Sequence, residues 1–177
     1  MIKLSAQELY DLFVNRKDVY AIQIPNGAYI LQKDELTLSH IEKHLKGDIS
    51  LGIYCLDTNS NVKWACVDLD GTDLNLLDYE SRIILDLFPE FARIREFSGR
   101  RGYHVWVFFD KETPAEYAQK LVKARLNKYP TLTKYEVFPK QTELNAGRLY
   151  GNLVKLPQAL HRVSKKRSKI LEMEGFE

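Results

Sequence analysis

The spacing of hydrophobic positions alternates along the chain between the helical and the strand period. Apolar residues recur every three or four positions in four stretches, which predicts helices at residues 5–16, 38–45, 73–88 and 114–129. Runs rich in β-branched and aromatic residues lie between these stretches and predict strands at residues 51–56, 62–69, 93–97, 103–109, 135–138 and 149–156. This mixture indicates an α+β fold in which a mixed, largely antiparallel sheet is flanked by helices.

Two short connections have the composition of hairpin turns. Residues 57–60 (DTNS) join the first two predicted strands, and residues 98–102 (SGRRG) join the next two. We therefore expect the two strands of each pair to be antiparallel neighbours. The chain has 177 residues, enough for one hydrophobic core, and we predict one domain. Its expected parts are an N-terminal helical part at 1–47, a core at 48–162 and a basic C-terminal tail at 163–177.

The overall charge is nearly balanced, with a formal net charge of +2. Hydrophobic residues make up 45% and charged residues 28%, as in ordinary globular proteins, so nucleic-acid binding cannot be argued from the total charge. The distribution is more informative, because residues 161–169 contain six Lys, Arg or His residues. This run is compatible with a surface that attracts a polyanion and equally with a solvated tail.

The two cysteines, Cys55 and Cys66, lie inside apolar strand-like runs. Their spacing fits neither a zinc site nor a disulfide framework, so we expect buried free thiols in a reducing compartment. The N-terminus lacks the pattern of a signal peptide, and no apolar run approaches the length of a membrane span. These features predict a cytoplasmic protein without a membrane partner.

Two aspartates at the end of the second predicted strand are the first candidates for chemistry. Side chains alternate along a strand, so Asp68 and Asp70 are expected on one face with Cα atoms about 7 Å apart. Carboxylates this close resist ionisation unless a cation lies between them, and a divalent metal ion is the usual cation. The other interpretation is that Asp70 caps the next helix and Asp68 is an ordinary strand residue. The alternation with Val67 and Leu69 favours the metal site.

The segment Ser98–His104 (SGRRGYH) combines a hydroxyl, two glycines and two arginines in a tight connection. Hydroxyl, backbone N–H and guanidinium donors together suit a triphosphate. A lone histidine at the start of an apolar strand is usually a satisfied core residue. Beside a donor-rich loop, however, His104 is better interpreted as a hydrogen-bond donor to phosphate, together with Ser98 and Arg101.

The same region also partly follows the signature of an RNA-recognition motif. Residues 101–108 (RGYHVWVF) contain a basic residue, a glycine and alternating aromatic residues. In that interpretation the chain is a single-strand binding module on which bases stack. The sequence departs from the signature at His104, where a small residue is expected. The binding-module interpretation also leaves Asp68 and Asp70 unexplained.

A third group of candidates follows between residues 135 and 162. Glu136 begins a short apolar strand and is a candidate third carboxylate. Lys140 and Lys155 are basic residues among apolar neighbours, although Lys140 alone is also compatible with an ordinary loop position. Lys155 is flanked by apolar residues, so its ammonium group is expected to point into a cleft and meet an anion.

Taken together, these three blocks resemble the archaeo-eukaryotic primase superfamily, in its primase-polymerase branch with CRISPR-associated and mobile-element enzymes. That superfamily combines an Asp-x-Asp or Asp-x-Glu strand, a Ser-x-x-x-Gly-x-His-like block and a later hydrophobic-acidic motif. The matching residues are Asp68 and Asp70, Ser98–His104, and Tyr135-Glu136. The strings FPKQ and GNLVKLP look like the third region of the subgroup, and the resemblance extends over residues 50–162.

The resemblance implies a primase-polymerase catalytic core with an RRM-like element, which adds nucleotides to a 3′-hydroxyl with two Mg²⁺ or Mn²⁺ ions. The implied metal ligands are Asp68, Asp70 and Glu136, and the implied nucleotide contacts are Ser98, Arg101, His104, Lys140 and Lys155. Many members have aspartate as the third carboxylate, so Glu143 remains an alternative to Glu136. The implied partners are nucleoside triphosphates, a single-stranded DNA template and a primer-template. The resemblance further implies a monomeric core, alone or within a longer protein, with or without de novo primer synthesis.

Two functions of other classes are also compatible with the residues. A metal-dependent nuclease would use the same carboxylates but has less need of a triphosphate site. An RRM-like single-stranded nucleic-acid binding module would need no metal and no catalysis. The sequence does not indicate whether ribonucleotides or deoxynucleotides are preferred.

Overall fold

The computed structural model describes residues 1–177 and contains two antiparallel sheets, four α-helices and a short 3₁₀ helix at Pro130–Leu132. In chain order the elements are α1 (Ala6–Phe13), β1 (Tyr20–Gln23), β2 (Tyr29–Gln32), α2 (Leu38–Lys46), β3 (Leu51–Tyr54), β4 (Asn61–Asp70), α3 (Leu74–Asp86), β5 (Ala92–Phe97), β6 (Gly102–Pro114), α4 (Ala115–Leu126), β7 (Glu136–Phe138), β8 (Leu153–Lys155) and β9 (Lys169–Glu174). The four-stranded sheet has the order β2-β1-β3-β8, and the five-stranded sheet has the order β7-β4-β6-β5-β9. All neighbouring strands are antiparallel. The α+β fold expected from the sequence is confirmed.

The first and third helices begin at residues whose side chains satisfy free backbone groups, and the second ends at a glycine. Ser5 and Glu8 form a capping box at the start of α1, and Asp73 accepts the backbone N–H of Leu76 at the start of α3. Gly47 adopts the left-handed conformation that ends α2. The longest helix, α3, has 13 residues, and none of the helices has the length and apolar character required to cross a membrane.

The five-stranded sheet lies between two apolar layers. One face of β4 and β6 packs on α3 and α4, with Val67 and Val105 among the buried residues. The opposite face packs on α1, α2 and the four-stranded sheet, where Trp64 and Trp106 make a fully buried edge-to-face contact at 4.7 Å. Trp64 donates its indole N–H to the carbonyl of Phe13, which fixes α1 on this face.

Two expectations about the N-terminal half are wrong. Residues 1–47 are not entirely helical, because β1 and β2 form a hairpin in which Gly27 has a positive φ of 93°. The turn at 57–60 forms, but β3 and β4 do not pair with each other. Instead β3 pairs with β1 and β8, while β4 pairs with β6 and β7, so the chain changes sheets at this turn.

The expected basic tail is folded as well. Lys169–Glu174 forms the edge strand β9, which pairs with β5. The preceding basic segment, residues 161–168, is a compact turn whose ends are held by the Leu160–Arg167 bridge. Both cysteines are buried and unpaired, as expected.

Candidate active site

Four ionisable side chains form a row across the five-stranded sheet. The strand register pairs Glu96 with His104, His104 with Asp68, and Asp68 with Glu136. Residues directly opposite each other in antiparallel strands project from the same face. The row therefore lies on the face that meets the four-stranded sheet, and it combines three carboxylates with one imidazole.

His104 is held between two of these carboxylates. Its Nδ1 lies 2.8 Å from Glu96 Oε1, and its Nε2 lies 3.4 Å from Asp68 Oδ1. Burial alone would lower the pKa of His104, but the hydrogen bonds and charges of Asp68 and Glu96 raise it to about 10. Burial conversely opposes the charge on Asp68, yet the hydrogen bond and charge of His104 keep its pKa below the usual value. His104 is thus held in its protonated form at neutral pH.

A cleft of about 260 Å³ opens beside this row, between the two sheets. Its acidic side is formed by Asp68 and Asp70, at the end of β4. Its basic side is formed by the connection between β5 and β6, by β8 and by the basic turn. The polar lining residues are Gln23, Tyr29, Asp68, Asp70, Ser98, Arg100, Arg101, His104, Lys155 and His161.

Lys155 joins the two sheets at the basic side of the cleft. It is 7% exposed, and its Nζ donates a 2.6 Å hydrogen bond to the carbonyl of Ser98. Burial lowers the pKa of Lys155, against the opposing charges of Glu96 and Asp68. A buried ammonium group with one neutral protein partner keeps donors for an anion.

His161 adds a neutral donor at the same side. Burial, together with the charges of Lys155 and Arg100, lowers its pKa to about 4. Its Nδ1 accepts the backbone N–H groups of Val163 and Ser164. A neutral ring with Nδ1 as acceptor carries its hydrogen on Nε2, which leaves one N–H donor for the cleft.

Each of the three predicted metal-binding carboxylates is paired with a predicted nucleotide-binding cation. The pairs are Asp68 with His104, Asp70 with Arg101 at 3.4 Å, and Glu136 with Lys140. No three His, Cys, Asp or Glu side chains converge on one point in this arrangement. The donor set nevertheless suits a hard divalent cation, because Asp68 and Asp70 offer carboxylate oxygens at alternate positions of one strand.

The cleft brings together most of the residues predicted from the sequence. Asp68, Asp70, Ser98, Arg101, His104 and Lys155 all line it. Glu136 and Lys140 do not line it, although Glu136 lies directly across from Asp68. Glu143 is exposed on the loop before β8 and does not line it either. Of these two candidates for the third carboxylate, Glu136 belongs to the row and Glu143 does not.

Sequence reasoning missed four residues of this region. Glu96 lies within a predicted strand, and a glutamate inside an apolar strand is a signal of a buried polar role. Gln23 and Tyr29 lie on β1 and β2, whose hairpin is marked by Asn26-Gly27. The basic turn that carries His161 was interpreted by its charge alone.

The structure also decides two alternatives for individual residues. Trp106 and Phe108 are 0% and 7% exposed, because both belong to the core between the sheets. They are unavailable for the base stacking that an RNA-recognition motif requires. The cap of α3 is Asp73 and not Asp70, so Asp70 is free of that structural task.

The comparisons with known proteins agree with this fold. The family model "TOTE conflict system, Archaeo-Eukaryotic Primase domain" matches residues 30–177. A search of curated protein sequences finds no match. Among solved structures, the chain is similar to the archaeo-eukaryotic primase domain of the cyanophage S-2L primase-polymerase, with a TM-score of 0.58 and 12% identity over 93% of this chain and 84% of that one.

A second similar structure is the polymerase domain of Mycobacterium tuberculosis Ligase D in complex with DNA. Its TM-score is 0.49 at 13% identity, over 94% of this chain and 71% of that one. The matching family model is described by the TOTE conflict system and not by CRISPR, so the CRISPR association expected from the sequence is unsupported. The chain belongs to the archaeo-eukaryotic primase domain family of TOTE conflict systems.

Proposed function

We propose that this chain is a template-directed nucleotidyltransferase, a primase-polymerase that adds nucleotides to a 3′-hydroxyl. The observation that carries the proposal is the polarity of the cleft. Paired carboxylates line one side of it, and Ser98, Arg101 and Lys155 line the other. An incoming nucleoside triphosphate needs both sides of the cleft. Cationic side chains bind its phosphates, and carboxylates hold the metal ions required at the reacting phosphorus.

The acidic side is the proposed site for two Mg²⁺ or Mn²⁺ ions. Asp68 and Asp70 would hold the ions, with Glu136 as the third carboxylate. When bound, such ions activate the attacking hydroxyl and stabilise the pyrophosphate leaving group. Each of these carboxylates is now paired with a cationic side chain, and we propose that these side chains bind the triphosphate when the metal ions take their place.

The basic side is the proposed triphosphate site. Ser98 offers a hydroxyl, Arg101 a guanidinium, and Lys155 an ammonium group already within reach of the loop. His104 points its Nε2–H towards Asp68, at the boundary between the two sides. Lys140, whose partner is Glu136, is the further cation proposed for this site. These groups would orient the triphosphate and neutralise its charge without covalent chemistry.

The proposed binding surface for DNA is the basic turn, residues 161–168, which forms the rim of the cleft beside the triphosphate site. The basic turn is clasped to the Ser98–Gly102 loop, since Ser164 Oγ donates a 2.7 Å hydrogen bond to the carbonyl of Gly99. Lys165 and Lys166 are exposed on this turn, and neither takes part in a salt bridge. Unpaired cations on an ordered turn are available to phosphates of a single-stranded template or a primer-template.

The test is extension of an end-labelled primer on a DNA template, with Mg²⁺ or Mn²⁺ and each class of nucleotide. Asp68→Asn and Asp70→Asn should each lower the rate by about 1000-fold or more, because a catalytic ion stabilises the transition state by several kcal/mol. Asp110→Asn, an exposed aspartate of β6 outside the cleft, is the matched control and should extend normally.

The same reactions separate the other functions. Shortening of the labelled strand in place of extension would identify a nuclease. DNA binding without any metal-dependent reaction, and unchanged in Asp68→Asn, would identify a binding module and refute the proposal. A parallel reaction on an unprimed template measures de novo primer synthesis.

A further inference from the structure

Glu96 is a fully buried carboxylate that no sequence motif singled out. It is 0% exposed, and its Oε1 accepts two hydrogen bonds, one from His104 Nδ1 at 2.8 Å and one from Trp106 Nε1 at 2.9 Å. Its other oxygen, Oε2, is buried and has no hydrogen-bond partner. A carboxylate in this state is unfavourable for folding, because burial removes hydration that one free oxygen does not recover. Stability alone therefore does not explain a glutamate here.

The contact with His104 has a direct geometric consequence. Nδ1 lies 2.8 Å from Glu96 Oε1 and Nε2 lies 3.4 Å from Asp68 Oδ1, so each ring nitrogen faces a carboxylate oxygen, which accepts but does not donate. Both ring nitrogens are therefore assigned as donors, and the Nε2–H faces Asp68 and the cleft. Trp106 meets the same ring edge-on at 5.9 Å between centroids and is tied to the same glutamate oxygen. The imidazole is thus fixed in both position and direction by a single carboxylate.

We propose that Glu96 is a positioning residue for nucleotide binding, which holds the His104 ring so that its Nε2–H is aimed at the triphosphate. This inference rests on the proposed function, which places the triphosphate in the cleft. Glu96 itself touches neither the nucleotide nor the metal site and acts only through the imidazole. When the phosphate replaces Asp68 as acceptor, the bond to Glu96 remains and the ring does not have to reorient.

The chain offers a matched control for this residue. Glu80 is also a buried glutamate, 4% exposed on α3, and it accepts a 2.6 Å hydrogen bond from the hydroxyl of Tyr135. It lies outside the cleft lining. Glu96→Gln and Glu80→Gln therefore make the same chemical change in two buried sites, of which only one touches His104.

The first measurement is the imidazole N–H spectrum of the protein without nucleotide or metal. The hydrogen-bonded Nδ1–H of His104 should give a downfield proton signal, assigned by its loss in His104→Asn. The signal should shift in Glu96→Gln and stay in place in Glu80→Gln. If the position of the signal is the same in Glu96→Gln as in the wild type, the proposal is wrong, whatever the activity of the protein.

The second measurement is equilibrium binding of dATP with Mg²⁺ in the absence of DNA. Glu96→Gln should weaken binding about tenfold, and Glu96→Leu by about tenfold to hundredfold, the range expected when a hydrogen bond that orients a charged donor is lost. Glu80→Gln should bind as the wild type does. Equal losses in the two glutamine variants would indicate a merely structural role, and unchanged binding in Glu96→Leu would refute positioning. A wild-type protein that binds no nucleotide would instead refute the proposed function, and the spectrum distinguishes the two failures.

Discussion

Gly102 is the position where a single methyl group is expected to do the most damage to the site. It lies at the start of β6, directly opposite Asp70 of β4. A Cβ added at Gly102 would lie 1.8 Å from the carbonyl oxygen and 2.9 Å from the carbonyl carbon of Leu69. Both atoms belong to the backbone of the neighbouring strand, so no side-chain rotation relieves the contact. Strands β4 and β6 must therefore move apart at Asp70, on the acidic side of the cleft.

The loss of stability in Gly102→Ala can be estimated from the contacts that the added methyl group disturbs. Forcing an extra methyl into a packed site costs about 1–3 kcal/mol. The separation also strains two nearby backbone hydrogen bonds, Ser98 N–H to the Gly102 carbonyl at 2.9 Å and Gly71 N–H to the Arg101 carbonyl at 3.1 Å, each worth about 1 kcal/mol. Gly102→Ala should therefore lower the free energy of unfolding by about 3–5 kcal/mol. For a chain of this size that corresponds to a decrease in Tm of about 6–20 °C.

Thermal unfolding and primer extension together test this expectation. Gly71→Ala is the matched control, because its added Cβ would meet only the Leu77 side chain at an ordinary 3.5 Å. The control should keep its Tm within about 2 °C of the wild type. A Gly102→Ala protein that melts and extends primers as Gly71→Ala does would show that the strands tolerate the methyl group, and the reasoning from the close approach would fail.

Two further expectations concern charge. The pKa of His104 is raised from 6.5 to about 10, so the stability it contributes is fully present below pH 6.5 and is lost as the pH rises through 10. Urea unfolding at pH 6.5 and 9.5 should therefore show a larger fall in stability for the wild type than for His104→Gln, and equal falls would contradict the assigned ion pairs. Reversing the charges of Lys165 and Lys166 should weaken single-stranded DNA binding at low salt by about tenfold or more and flatten its salt dependence. Reversal of Lys123 and Lys128, exposed at the end of α4 and just beyond it, is the control, and an equal loss there would argue against a defined DNA-binding rim.

Local chemistry explains which parts of the fold could be predicted from the sequence. The caps at Ser5 and Asp73 depend on residues within one turn, and the structure confirms the helices that they begin. Strand pairing is different, because the partner of a strand is chosen by packing between distant segments. The turn at 57–60 was recognised, but nothing within it shows that β3 finds its neighbours in β1 and β8. The strand β9 was missed because its charged surroundings hid the short alternating run 169–174.

In the candidate site, too, local features could be predicted from the sequence and contacts between distant segments could not. The spacing of Asp68 and Asp70 is a local property of one strand, so their common face could be predicted. The row from Glu96 to Glu136 is a property of strand register and becomes visible only when four strands are aligned. Tyr29 is a still more distant case. Its ring lies against β3, where a Cβ on Gly52 would come within 3.0 Å of it, so its place in the cleft depends on the pairing of β2 and β3 with β1.

The cleft lies between two walls, of which one is the five-stranded sheet and the other is the four-stranded sheet. The carboxylates and His104 stand on adjacent strands of the five-stranded sheet, and their geometry depends on the β5–β6 hairpin and its pairing with β4. Tyr29 and Lys155 stand on the four-stranded sheet, which reaches the first wall mainly through the shared core and the bond from Lys155 to Ser98. Under the proposed function, changes in the four-stranded sheet should therefore alter which nucleotide fits while the row of charged groups stays intact. Three strands of the four-stranded sheet precede residues 57–60, and the fourth, β8, follows β7. The two walls therefore come from different chain segments, and under the proposed function the selection of the substrate can vary without loss of the carboxylates and His104.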